Sequence, residues 1–363
     1  MSARTVLFES EFVPSADGHG GDHRALQICE LLRGAGFEPV PVGAALPSRP
    51  VRAARGLLFA LRHGYVGRRS LHLVRACSNL GGRLAVAIGD HEGAPLIVWE
   101  SHAVFLPDLA HDAGFRVVAI PAGLDPVMDQ GGHPVTREPL PRALESEMRG
   151  LGKADAVFTI SREEQWLLRL WKVDAEYLPY YPAPLVCERL LAVRAARAHS
   201  SRTLFLILGT AHNPPTMTGM REQLQLVSPL AKRHGLRFEV AGFGTESLSD
   251  EFEAEGIGVH GGVTAERLHD LLVSSIAVVA HQRAAAGALT RIPELLVAGV
   301  PVIGSAIACR SAERMPGVGC YDSIEELESL LLRPPEDPPV PPVPALAERR
   351  FLECVSRLVL DAE

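Results

Sequence analysis

In the second half of the chain, short apolar runs recur, each closed by a glycine or a small turn and each followed by a stretch of helical periodicity. Residues 203–209 (TLFLILG) open the series, and 237–242, 257–260, 276–280 and 300–304 continue it. Helical spacing fills the gaps at about 220–234, 265–272 and 290–298. Runs this uniformly apolar belong to strands buried on both faces, and strands separated by helices pair in parallel. The pattern predicts a doubly wound, Rossmann-like domain.

The first half carries a looser version of the same alternation. A strand at 5–9 leads through a turn-rich stretch at 14–22 into a helix at 22–33, with Ala25, Leu26, Cys29, Leu31 and Leu32 near one face and Gly34 to Gly36 as the stop. Further strands are predicted at 37–42, 96–99, 115–120 and 154–160. At Tyr177-Leu178-Pro179-Tyr180-Tyr181-Pro182-Ala183-Pro184 aromatics and prolines interrupt the pattern, as expected of a crossing between domains. Residues 1–183 are therefore read as an N-terminal domain and 184–344 as a C-terminal domain. The segment 334–344 (PPEDPPVPPVP) is a stiff connector, and 345–363 a terminal helix that packs back toward the N-terminal domain.

With 363 residues, 47% of them hydrophobic, the chain has enough apolar material for two α/β cores. A net charge of −7 disfavours a general nucleic-acid partner. No apolar run approaches the roughly 18 residues of a membrane span, and MSARTVLFES lacks a secretory core, so a cytoplasmic protein is expected. The cysteines show no CxxC spacing, which argues against structural zinc and a disulfide framework. Charge is nonetheless uneven: residues 39–89 contain no Asp or Glu but hold eight arginines. Arg52, Arg55 and Arg62 recur beside Leu57, Leu58, Phe59 and Leu61, a basic amphipathic segment suited either to peripheral contact with an anionic membrane at its inner face or to a solvated surface.

The stretch with the most chemistry is 284–305, AAAGALTRIPELLVAGVPVIGS. A small-residue turn enters a short helix, whose first amides and dipole favour an anion, and Gly287 permits close approach of a ligand to the backbone. Gly287, Ala288, Leu289 and Thr290 form this turn. Thr290 is placed as N-cap, Arg291 as a cation beside a diphosphate, and Glu294 as an acceptor for a ribose diol. An ordinary connecting helix, with Glu294 merely favourable in its first turns, is the alternative.

This segment resembles the donor loop and helix of retaining GT-B glycosyltransferases of the glycosyltransferase 4 type, and other segments agree in order. Leu208-Gly209-Thr210-Ala211-His212-Asn213-Pro214-Pro215 resembles the first strand-turn of their donor domain, and Val240-Ala241-Gly242-Phe243-Gly244 the next. His260-Gly261-Gly262-Val263 resembles the segment that holds the nucleotide base, with a backbone amide at Val263 reading it, and Ala280-His281-Gln282 precedes the donor loop. His212 reads as a cleft group or as a turn residue before its two prolines. Gly18-His19-Gly20-Gly21-Asp22 resembles the acceptor or phosphate loop, and His102 stands where related enzymes place a histidine against the donor sugar. Many members carry a further glutamate eight positions before the ribose-binding one, where this chain has Ala286. Trp166 and Trp171 are read as core or interface packing.

The resemblance implies two Rossmann-like domains facing across a cleft and transfer of a hexose from a nucleotide-diphosphate sugar with retention. It further implies a diphosphate oxygen that helps deprotonate the acceptor, and no metal or cofactor beyond the co-substrate. The acceptor is a glycan, a glycolipid or a small molecule, in surface polysaccharide or glycolipid assembly. Arg291 and His102 are the expected catalytic groups. Two alternatives share the fold: an inactive binding or scaffold protein, suggested by Ala286, and a nucleotide-sugar epimerase. A dehydrogenase is disfavoured, since no strand precedes a GxGxxG turn.

Overall fold

The computed structural model describes residues 4–43, 49–63, 79–84, 86–87, 96–100, 105–124, 140–283 and 286–361. The chain forms two compact units. The first is drawn from the described parts of Met1–Gly123, Pro141–Pro179 and Pro344–Glu363, and the second is built around Tyr180–Val343.

In the first unit the strands are β1 (Arg4–Ser10), β2 (Phe37–Pro41), β3 (Leu96–Glu100), β4 (Arg116–Ala119), β5 (Ala156–Thr159) and β6 (Ala175–Tyr177). They form one parallel sheet in the order β2-β1-β3-β4-β5-β6. The second unit contains β7 (Leu204–Leu208), β8 (Phe238–Ala241), β9 (Gly258–Val259), β10 (Ser275–Ala280), β11 (Val302–Ser305) and β12 (Val318–Tyr321). These are also parallel, in the order β12-β11-β10-β7-β8-β9. Strand order reverses between β1 and β3 in one sheet and between β7 and β10 in the other. Such reversals open a crevice beyond the carboxyl ends of the strands, where ligands of doubly wound sheets bind.

The expected α/β architecture of two Rossmann-like units is what the chain adopts. β6 and β12 went unpredicted because they are very short and lack an apolar run. The helices Leu106–Asp112, Leu140–Leu151, Pro184–Arg197 and Ile324–Leu332 are further additions. The expected packing role of the two tryptophans is corrected: Trp166 lies in the middle of helix Arg162–Leu170 and Trp171 caps its end, and both are exposed, Trp166 by 71%.

The last helix, Ala345–Leu360, returns to the first unit. Its Phe351, Val355 and Val359 are buried with Phe8, Ile28, Val98, Val118 and Phe158, and Phe351 meets Phe158 edge-on at 5.3 Å. Buried Arg24, on helix Gly20–Gly34, donates to the carbonyls of Leu178 (2.8 Å) and Pro179 (3.3 Å), fixing the end of the Pro141–Pro179 stretch of the first unit. Among the described residues no helix is long and apolar enough to cross a membrane.

Candidate functional site

The turns after β7 and β8 are built around glycine because they press on each other. Gly242 has a φ of +132°, and a Cβ there would overlap the carbonyl oxygen of Gly209. Gly244 has a φ of +80°, and a Cβ there would lie 2.7 Å from Cδ2 of His212. Only glycine adopts these angles without strain. Gly209, His212, Gly242 and Gly244 are thus brought together at the carboxyl end of the second sheet. The carbonyl of Thr210 accepts from the Asn213 amide, so Thr210 serves the turn through its backbone.

Arg291 sits beside the same turn. A Cβ on Gly209 would lie 2.9 Å from its Nη1, and Nη1 donates to the carbonyl of Leu208 at the end of β7. Burial holds the guanidinium below its usual pKa, and the nearby carboxylate of Glu294 acts in the opposite direction. The cation expected beside a diphosphate is thus committed to the last carbonyl of β7. Three positions on, Oε1 of Glu294 accepts a 2.6 Å hydrogen bond from the Tyr180 hydroxyl. Thr290 occupies the N-cap position of helix Arg291–Val297, but its backbone is helical and its side chain makes no capping bond.

The loop from Ala286 to Leu289 is held by a residue that sequence reasoning did not single out. Arg310 donates to the carbonyls of Ala286 and Gly287 and, at 3.1 Å, to Oε1 of Gln282. Gly287, with a φ of +65°, takes a left-handed turn there. Ala288 and Leu289 continue the loop, half-buried. An arginine inside a loop gives no periodic signal, and its acceptors, some twenty positions upstream, become visible only in the fold.

On the other side of the β7/β10 crevice, His281 follows β10. Its Nδ1 lies 2.9 Å from the Tyr321 hydroxyl, with the rings stacked, and its Nε2 lies 3.4 Å from Glu222. Burial lowers the His281 pKa against the opposing pull of Glu222, and burial raises that of Tyr321. A neutral phenol donating to Nδ1 leaves an Nε2–H for the Glu222 carboxylate, the one tautomer that suits both neighbours.

Gly262 and Val263 line an open depression of about 540 Å3 with Phe243, Glu246, His260 and Gly261. In the first unit, the glycines after β1 pack the start of helix Gly20–Gly34. A Cβ on Gly21 would overlap the Phe12 ring and one on Gly18 the Asp22 carboxylate, which accepts from the amides of Val13 and His19 at 3.0 and 2.9 Å. Gly20 is the first residue of that helix. His102 and the side chain of Arg52 lie outside the described residues. Arg55 and Arg62 are exposed on helix Arg49–Arg62, Arg62 with Asp112 at 3.5 Å. Among the described residues no group of His, Cys, Asp and Glu is arranged to hold a metal ion.

No protein-family model and no curated protein matches the sequence. Solved structures do. Sucrose-phosphate synthase from Thermosynechococcus elongatus superimposes with a TM-score of 0.62 at 15% identity, over 99% of this chain and 94% of that one. A UDP-forming α,α-trehalose-phosphate synthase from Burkholderia xenovorans gives 0.62 at 11% identity, over 99% and 96%. WaaG, a glycosyltransferase involved in lipopolysaccharide biosynthesis, gives 0.56 at 12% identity, over 98% and 95%. The fold is that of the GT-B glycosyltransferases. At these identities the likeness extends to the fold alone.

Proposed function

We propose that the protein transfers a glycosyl group from a nucleotide-diphosphate sugar to an acceptor, with the donor held by the second unit. The observation that carries this reading is the convergence of Gly209, Gly242, Gly244, Arg291 and Glu294 at the point where strand order reverses, beside the depression at Gly262-Val263. Two close-packed glycine turns let a diphosphate approach the backbone, and Glu294, oriented by Tyr180, accepts from a ribose diol. Arg291 supplies positive charge from beneath the turn as the leaving diphosphate gains negative charge.

In this proposal the loop Gly18-His19-Gly20-Gly21 serves the acceptor or a phosphate, and His102 the donor sugar. Transfer proceeds with retention and without a metal or a dedicated carboxylate base, the diphosphate oxygen taking the acceptor proton. Surface polysaccharide or glycolipid assembly is the proposed setting. The helix Arg49–Arg62 supports a peripheral contact with anionic lipid at the cytoplasmic membrane face: Phe59 and Ala60 are buried, whereas Leu57, Leu58 and Leu61 are exposed beside Arg55 and Arg62.

A second reading, a binding protein on the same fold without turnover, is favoured by two observations. Arg291 and Arg310 spend donors on backbone carbonyls, and Ala286 stands where a glutamate is expected from the resemblance. A screen of UDP, GDP, ADP and dTDP sugars, following thermal shift and nucleotide release together in wild type and Glu294→Ala, separates the two. Stabilisation with diphosphate release, both lost in the variant, supports the transferase; stabilisation without release supports the binding protein. No stabilisation by any nucleotide sugar removes the donor site altogether.

A further inference from the structure

The open depression after β8 and β9 has an unusual combination of walls. Phe243 projects with 69% of its surface exposed, beyond what a residue serving only the core shows. Its ring lies 4.0 Å from where a Cβ on Gly262 would be, and Oε2 of Glu246 lies 3.2 Å from where one on Gly261 would be. An aromatic face and a carboxylate therefore stand side by side above a backbone floor that carries no side chain. Glu246 is exposed, so no core packing requires it. His260, the other titratable group of the depression, is engaged by Glu239 at 2.8 Å, which leaves Glu246 as the acid at the site.

We infer that this depression selects guanine among the nucleobases, with Phe243 as the stacking face and Glu246 as the reader of the base edge. This rests on the donor-site reading above and names the donor as a guanosine diphosphate sugar. A carboxylate offers two adjacent acceptors and no donor. Guanine presents two adjacent donors, N1–H and the 2-amino group, and pairs with a carboxylate in a two-bond fork. Uracil and thymine flank their single N3–H with two carbonyl oxygens, and adenine sets its amine beside the N1 lone pair, so each brings an acceptor against the second carboxylate oxygen. The guanine O6 faces the amide-bearing floor at Gly262-Val263. Stacking is tolerant of base identity, so the preference must come from the carboxylate.

Calorimetric titration of the full chain with GDP, IDP, UDP, ADP and dTDP tests this, since IDP is GDP without the 2-amino group. GDP is expected to bind tightest, with IDP weaker by roughly tenfold. Glu246→Gln should remove most of the GDP advantage and leave UDP within about twofold, whereas Phe243→Ala should weaken every nucleotide alike. Thermal melts of both variants check folding. Tighter binding of UDP, ADP or dTDP than GDP, or unchanged GDP affinity in Glu246→Gln, overturns guanine selection while leaving the donor site standing. If no nucleoside diphosphate binds, the donor-site reading fails and guanine selection goes with it.

Discussion

The Tyr180 hydroxyl, on the residue that opens the long continuous stretch of the second unit, donates to Oε1 of Glu294 at 2.6 Å across 114 positions of sequence. The bond holds the proposed ribose-binding carboxylate in one rotamer before any ligand arrives. Tyr180→Phe keeps the ring packing and removes only the donor. It is expected to weaken nucleoside diphosphate binding by about 1 kcal/mol, or roughly fivefold in Kd, with a small loss of Tm. Titration calorimetry on the two proteins measures it; equal affinities would detach Tyr180 from the site.

Arg310 fixes the proposed donor loop through a fork of donors onto two of its carbonyls and a side-chain amide oxygen. Arg310→Ala should cost about 1–3 kcal/mol in chemical denaturation and weaken nucleotide binding as the loop loosens. Arg310→Lys should recover little of either, because a single ammonium cannot span acceptors arranged for a guanidinium. Full recovery by lysine would mean that charge, not geometry, is what the loop requires.

His281 carries a pH signature. Burial holds its folded pKa below the ordinary value of 6.5, so the unfolded chain binds the extra proton first. The stability this residue contributes is fully present above that value and is lost as pH falls toward and through the folded pKa. Melting curves between about pH 7.5 and pH 5.5 should therefore decline less steeply in His281→Gln than in wild type. Parallel declines would remove His281 from the acid response.

The helix Arg49–Arg62 turns apolar leucines outward beside arginines. Cosedimentation with vesicles containing phosphatidylglycerol is expected, strongest at low salt, each basic residue contributing about 1 kcal/mol. The double variant Leu58→Glu, Leu61→Glu should abolish it without altering the melting curve, since both side chains are exposed. Binding that survives the double variant would move any membrane contact elsewhere.

Much of the fold was legible because buried parallel strands are written as uninterrupted apolar runs, and β7, β8 and β10 fall where those runs lie. β12 was not, since Val318-Gly319-Cys320-Tyr321 is too short and mixed to stand out from a turn. The glycines at 209, 242 and 244 were visible as punctuation, but their mutual contact is a property of two turns some thirty residues apart. Arg291 illustrates the opposite limit: its position was readable, and its direction, toward the Leu208 carbonyl, was not. Trp166 and Trp171 misled because large aromatics usually pack, and the helix Arg162–Leu170 buries Leu168 instead.

The helix Ala345–Leu360 belongs to a unit whose other strands and helices are translated long before it. On the ribosome, the hydrophobic cluster of Phe8, Val98, Val118 and Phe158 that this helix completes stays open while residues 180–343 of the second unit are synthesised. The second unit, drawn largely from one continuous stretch, can close while its neighbour is still waiting. Folding order thus runs against sequence order here, and the apolar face left open is one on which a chaperone can act.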